Sequence, residues 1–244
     1  NPSWKDLNAL TRKDIEDYLI FHNKKFHDKI QSKRSYLIVL NVFLETIEKL
    51  QFDEAPALPV NLLLFKEDIP RPVKKSENDI KYIPEGVLQQ IEEKLEFLKP
   101  SKYVPIIVLL RATGWRISDI LNLRYDNCLE QTPQGWYLCG DIRKTQVMNH
   151  RVPITKELAE VVEAVVKVTK DQSNTINNPK NYLFVQLEGI RRGRPYNYYD
   201  IRRSLKRFTG EQKIVDDSGK PFFIKNHAFR HTKGVELLNN GMNI

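Results

Sequence analysis

The chain has 244 residues, of which 41% are hydrophobic, 10% aromatic and 29% charged. That is apolar material for one or two folded domains and excludes a disordered chain. Cys128 and Cys139 exclude a disulfide framework and a four-thiolate zinc site, and the five histidines form no cluster with ligand spacing, so neither a metal nor another cofactor is expected. The longest apolar run, Val104 to Leu110, is seven residues, against about 20 for a membrane-spanning helix. No basic-then-apolar leader opens the sequence, and no membrane association is expected. The net charge of +8 is uneven: residues 1–81 carry +1 and residues 82–244 carry +7. A basic second part points to a polyanionic partner, the competing reading being a basic protein that binds no nucleic acid.

Residues 1–50 read as helix. Thr11 opens a run with Ile15, Tyr18 and Leu19 at helical spacing and with Asp14, Glu16 and Asp17 near its start. A second run puts Tyr36, Leu37, Leu40, Phe43, Leu44 and Ile47 on one face. Pro56, Pro59, Pro70, Pro72 and the charged stretch 74–79 then mark a change of character. Pro84 opens a helix carrying Val87, Leu88, Ile91, Leu95 and Leu98. Ser101 caps a helix from Lys102 to Thr113, which Gly114 stops, and Ser118 caps a short one through Leu123. The period then changes. Trp136 to Cys139, a turn signal at Gly140-Asp141 and a polar stretch ending in Val152-Pro153-Ile154 predict a small antiparallel meander. Thr155 caps a helix with Leu158, Val161, Val162, Val165 and Val168. An Asn-rich loop runs from Asn174 to Asn181. A basic helix starts near Asn197 and carries Ile201, Leu205 and Phe208. Asp216 to Pro221 is a turn, and a last helix runs from about Asn226 to Asn240. The predicted fold is mainly α with one small antiparallel β-sheet.

Three segments carry candidate chemistry. The window 191–207 holds Arg191, Arg192, Arg194, Arg202, Arg203, Lys206 and Arg207 against one acid, Asp200, with Tyr196, Tyr198 and Tyr199 interleaved. Arginine forks suit phosphate, and the alternative is a solvated helix face. In the segment 112–123, Arg116 follows a helix-ending glycine beside a new helix start, which adds favourable potential for an anion, and Asp119 lies one turn on. In the segment 227–232, His227 and Arg230 share a helix face, with His231 near it. His22, His27 and His150 have no constellation around them and are expected at the surface. Trp115 and Trp136 are expected in the core.

Thr113, Gly114, Arg116, Ser118, Asp119 and Leu121 match the pattern T-G-x-R-x-S-[DE]-x-L, and His227, Arg230, His231 and Thr232 match H-x-x-R-H-T, about 110 residues later. This pair resembles the motifs of the tyrosine recombinase (phage integrase) family. Arg143-Lys144-Thr145, followed by Arg151-Val152-Pro153-Ile154, is similar to the family's hairpin lysine and the strand after it. The tail 237–241 resembles the family's helix after the second arginine. The resemblance implies a helical, SAM-like core-binding domain over residues 1–72, a linker over 73–81 and a tyrosine-recombinase catalytic domain over 82–244. It implies duplex DNA as substrate, attack of a tyrosine on a phosphodiester, a 3′-phosphotyrosyl intermediate and a released 5′-hydroxyl. Arg116 and Arg230 would clamp the non-bridging oxygens, each by a rigid fork. Lys144 would protonate the departing oxygen, with Arg143 and Arg151 as rival candidates. His227 would hydrogen-bond the phosphate, Asp119 and His231 would support the site, and the seven bases of the 191–207 window would bind DNA. Side chains supply the cations, so the scheme needs no metal. Sister protomers on the DNA, in a tetrameric synapse, are the implied protein partners, and the bacterial nucleoid in the cytoplasm is the implied location.

One departure stands out. The family's nucleophilic tyrosine falls roughly 30 residues after the second arginine, whereas 14 residues follow Arg230 here and none is tyrosine. The chain is therefore expected to be a fragment cut before its nucleophile and inactive in cleavage by itself, its parent integrating or excising a mobile element. The alternative reading is a non-catalytic DNA-binding regulator or degenerate relative. A type IB topoisomerase is a lesser alternative.

Overall fold

The first helix begins where its capping signal lies. In a computed structural model that describes residues 7–72 and 82–241, α1 spans Arg12–Lys25. The Thr11 hydroxyl accepts from the Asp14 amide and the Asp14 carboxylate from the Thr11 amide, a reciprocal cap that satisfies two otherwise unpaired donors. The chain divides into two units, Asn1–Asp79 and Ile80–Ile244. The expected linker, 73–81, lies outside the described residues.

In the first unit α1 is followed by α2 (Ile30–Lys49) and the short α3 (Val60–Leu63). Leu10, Ile15, Leu44, Val60, Leu63 and Leu64 form its core. The face expected on α2 is narrower than its pattern: Leu37 and Leu44 are buried, but Tyr36 and Phe43 remain 53% and 49% exposed. Arg12 ties α1 to the segment after α3. Its guanidinium forks onto the Asp68 carboxylate, donates to the Leu63 carbonyl at 2.9 Å and lies over the Phe65 ring. That hydrogen bond, ahead of any other influence, holds the Asp68 carboxyl below its ordinary range.

His22 is not at the surface. It is 2% exposed, within ring contact of Tyr18, Phe26 and Tyr36, and neither ring nitrogen has a hydrogen-bond partner. The spacing accounts for it, because Tyr18, His22 and Phe26 stand one above another on α1. Burial, and then the charges of Lys33 and Lys25, hold its pKa below the ordinary histidine value.

The second unit is built on α5 (Val104–Thr113), whose Ile106, Ile107, Leu109 and Leu110 are all buried. A single helical turn, Ser101–Tyr103, precedes it, so the expected helix start at Lys102 falls within that turn. Before it, α4 (Glu85–Lys94) starts after Pro84 as expected, and Leu98 is buried beyond its end. After it comes α6 (Ile117–Leu121). The meander is β1 (Leu129–Thr132), β2 (Gly135–Ile142) and β3 (Val147–Ile154), in order and antiparallel. Gly140-Asp141 is not its turn. Both residues lie within β2 at an irregularity in the pairing, and the reversal falls at Arg143–Gln146, with Gln146 at φ +55°.

Next come α7 (Lys156–Gln172), capped by the Thr155 hydroxyl, and a two-stranded ribbon of β4 (Val185–Gln186) and β5 (Arg194–Pro195) that the sequence reading missed. Then follow α8 (Tyr198–Glu211), capped by Asn197, and α9 (Asn226–Asn239). Ile201, Leu205, Phe208, Ala228 and Phe229 bring α8 and α9 into the same core as α4 and α5, with Trp115 beside them. Trp136, paired with Ile154 across β2 and β3, is half-buried.

Candidate active site

Two glycines bring the motif residues together. Gly114 ends α5 at φ +64°, a left-handed conformation that glycine adopts without penalty. A Cβ there would stand 2.8 Å from the Lys233 Cβ and 3.8 Å from the Arg230 Cα, so α5 and α9 meet more closely than any side chain at this position permits. Across this contact the Arg230 guanidinium donates to the Gly114 carbonyl at 3.2 Å. Gly140, in β2, would place a Cβ 2.8 Å from Leu123 and 3.0 Å from the Trp115 ring. The hairpin stem therefore rests on the residue that precedes Arg116, and His150, exposed on β3, adds a ring contact to Trp115 at 5.7 Å.

Arg116 itself is the residue that starts α6, and its carbonyl accepts from the Asp119 and Ile120 amides. Ser118, expected in that role, lies inside the helix, with its hydroxyl 3.5 Å from the Asp119 carboxylate. With only five residues α6 has a small macrodipole, so the anion-attracting potential at Arg116 comes from side chains rather than from the helix end. Asp119 is buried. One of its oxygens lies 3.9 Å from the Arg116 guanidinium and makes no hydrogen bond. Arg230 loses some hold on its proton through burial and the Arg116 charge, and regains part of it from Asp119. The buried acid thus lies beside Arg116.

His227 lies near the start of α9. Burial lowers its pKa most, followed by the charges of His231, Arg230, Arg116 and Lys144. Lys144 stands on the exposed turn between β2 and β3, as do its rivals for the same role in part: Arg143 shares that turn, but Arg151 lies on β3 and pairs with Glu130 at 3.1 Å. His231, expected to support the site, is exposed, and its ring meets His227 edge-on at 4.8 Å.

A cleft of about 400 Å³ is lined by Arg116, Ile117, Ser118, Tyr198, Arg202, Lys225, Asn226 and His227. It holds four basic side chains and no acid. Lys225 and Asn226 had not been singled out; their one signal was position, directly before His227. The basic window is divided by the fold. Arg202 reaches this cleft. Arg203, Lys206 and Arg207 follow on exposed α8, where Arg203 faces Asp200 and Arg207 is engaged by the Lys99 carbonyl at 2.9 Å and by Glu211. Arg191, Arg192 and Arg194 belong to the ribbon.

A larger groove of about 520 Å³, between α4, α5, β3, α7 and α9, is mainly apolar and lies apart from this chemistry. On its border Arg111 joins Glu92 of α4 at 3.0 Å to Glu236 of α9 at 2.6 Å. At the other side of α9 the buried Thr232 hydroxyl accepts from the Ile83 amide at 2.8 Å. The helix that carries His227 and Arg230 is thus held along its length. Among the described residues no group of three His, Cys, Asp or Glu side chains is placed to hold a metal ion.

Four basic side chains around one cleft suit a phosphate group. The model of the phage integrase family matches residues 84–244, and the chain belongs to that family, the tyrosine recombinases. Transposase B from transposon Tn554 of Staphylococcus aureus is 29% identical over 236 residues, covering 97% of this chain and 35% of that protein. A probable integrase/recombinase of Methanocaldococcus jannaschii is 29% identical over 140 residues, 57% of this chain and 38% of that one. The chain therefore spans about a third of the length of the curated relatives it matches. Among solved structures, the Tn1549 transposon integrase in complex with transposon right end DNA superposes with a TM-score of 0.61 at 19% identity, covering 97% of this chain and 75% of that one. The XerH site-specific recombinase bound to its difH substrate gives 0.69 at 14% identity, covering 96% and 62%. These two establish the shared fold.

Proposed function

We propose that this chain is the DNA-binding and phosphate-activating part of a recombinase that integrates or excises a mobile element by transesterification through a 3′-phosphotyrosyl intermediate. One observation carries the reading. Arg116 and His227, more than 100 residues apart in sequence, line one cleft with Arg202 and Lys225, and Arg230 bonds the Gly114 carbonyl two residues before Arg116. Phosphoryl transfer asks a protein mainly for positioning and for stabilisation of charge on the non-bridging oxygens. Arg116 and Arg230 supply two planar forks for those oxygens. Lys144 gives its proton to the departing 5′-oxygen, and His227 hydrogen-bonds the phosphate. Asp119 holds the arginines in place from beneath, as a positioning residue. Residues 1–72 form a core-binding domain, residues 82–244 belong to the catalytic domain, and no residue after Arg230 here supplies the family's nucleophilic tyrosine. The exposed bases of α8 contact the duplex backbone, sister protomers complete the synapse, and the work is done on the bacterial nucleoid.

The test has two stages. The 244-residue chain should bind a 30-bp duplex with an affinity that falls steeply with salt. A parent chain that contains its tyrosine should form a covalent adduct on a nicked duplex, and Arg230→Ala should abolish that adduct while binding persists. An adduct formed equally well by Arg230→Ala would overturn the assignment of the site.

A further inference from the structure

The ribbon of β4 and β5 ends in a turn that holds one apolar side chain outside the protein. Val185 pairs with Pro195 and Gln186 with Arg194. Within the turn the Arg192 amide donates to the Gly189 carbonyl at 3.1 Å, the Gly193 amide to Gln186 at 2.8 Å and the Arg194 amide to Arg191 at 3.1 Å. Gly189 and Gly193 take φ of +75° and +77°, so the chain reverses tightly at both. A Cβ on Gly193 would lie 3.3 Å from Pro179 and 3.5 Å from the Asn177 carbonyl, so the ribbon leans on the Asn-rich loop. Phe184, at its base, is buried in the core of the unit. The turn is therefore an internally bonded device on a fixed stem.

At its apex Ile190 is 106% exposed, well above every other large apolar side chain among the described residues, the next being Ile176 at 73%. Arg191, Arg192 and Arg194 follow it in the chain, all exposed. Arg203 and Arg207 on α8 face acids, but these three arginines enter no ion pair among the described residues. Lys180 lines a shallow cavity of about 290 Å³ with Arg192 and Arg194, and Glu188 is the one acid within the turn. Ile176, the next most exposed aliphatic side chain, lines the same cavity, and the three arginines beside these two side chains carry a charge that favours a polyanion over an apolar protein face. The complement of that shape is a narrow apolar slot bordered by anions, which is what a base step opened from the DNA minor groove presents.

We propose that the β4–β5 turn is a minor-groove wedge: Ile190 inserts at a base step of duplex DNA while Arg191, Arg192 and Arg194 hold the phosphates on either side. The proposal rests on the DNA-binding reading above. It adds a site apart from the cationic cleft and a means of sensing DNA deformability, since flexible pyrimidine–purine steps open most readily.

The experiment uses the 244-residue chain and 30-bp AT-rich duplexes with 2-aminopurine placed at successive TA and CA steps. The wild-type chain should raise 2-aminopurine fluorescence at saturation, at flexible steps above all. Ile190→Ser should remove that rise and weaken binding roughly three- to tenfold, and Ile190→Leu should restore both. Arg191→Ala with Arg192→Ala should lower the slope of log affinity against log salt by about 2. Binding without any fluorescence rise, or a rise that Ile190→Ser leaves unchanged, would overturn the wedge while leaving DNA binding intact. Capture of a protein that depends on Ile190, with no fluorescence rise, would overturn it in favour of a protein interface. Absence of DNA binding by the folded wild-type chain would overturn both readings.

Discussion

Arg230 and Lys144, both assigned to the site, stand on two very different supports. Arg230 stands at the junction of α5 and α9, where a glycine allows the helices to approach and both flanks of α9 are tied down. Lys144 stands on a turn whose residues from Arg143 to His150 are all exposed, and its anchorage is the hairpin stem at Gly140. The groups assigned to clamp phosphate oxygens thus sit on packed core. The group assigned to move a proton sits on a two-strand lever. Packed cores admit only discrete arrangements, whereas an exposed turn is free to adjust when DNA arrives. Substitutions at the junction should therefore cost stability, and substitutions on the turn should cost only chemistry.

The junction should give the largest effect. Gly114→Ala combines a left-handed backbone with a Cβ pressed against the Lys233 stem, and should destabilise the folded chain by about 2–4 kcal/mol in urea unfolding. An unchanged midpoint would mean that α5 and α9 do not need their close approach. Thr232→Val keeps the volume but leaves the buried Ile83 amide without its acceptor, at a cost of about 1–3 kcal/mol. Lys144→Ala should lie within about 0.5 kcal/mol of wild type, as surface changes do. In a parent chain with its tyrosine it should nevertheless abolish strand cleavage and spare binding. A Lys144→Ala chain that unfolds early would erase the contrast between the two supports.

The same contrast governs what was legible in the sequence. Helix starts at Thr11, Thr155 and Asn197 fell where expected, because capping is a local interaction, but the Ser118 signal lies inside α6, whose start has no side-chain cap. Arg116, His227 and Arg230 were singled out from a glycine stop and an i, i+3 pair, which are local patterns too, and the fold brings Arg116 and His227 to one cleft. Failures came where distant contacts decide. Gly140 reads as a turn residue locally, but it is a strand residue that lets Trp115 and Leu123 close in. His22 stands in helical register with Tyr18 and Phe26, but its burial is completed by Tyr36 on α2, which no local pattern announces. The β4–β5 ribbon is too short for an alternation to register. The division of the basic window between α8 and the ribbon follows from that missed element.

The smallest effect tests the lever directly. In the native chain burial lowers the His227 pKa, and the charges of His231, Arg230, Arg116 and Lys144 lower it further, in that order. The unfolded imidazole titrates near its ordinary value of about 6.5. Between the native and unfolded values the unfolded chain binds the extra proton, so stability rises with pH through that window. The contribution is complete above about 6.5 and is lost as pH falls through the native value. Followed by NMR, the His227 ring should titrate below the ordinary histidine midpoint. Lys144→Ala should move that midpoint slightly upward, by less than removal of the Arg116 charge does. Duplex DNA should move it up further, because a phosphate beside the ring favours the imidazolium. If Lys144→Ala leaves the midpoint where it was while the Arg116 substitution shifts it, the turn does not hold its lysine over the cleft in the free protein. Lys144 would then reach the site only when DNA draws the hairpin in, and the lever would be a moving part rather than a fixed one.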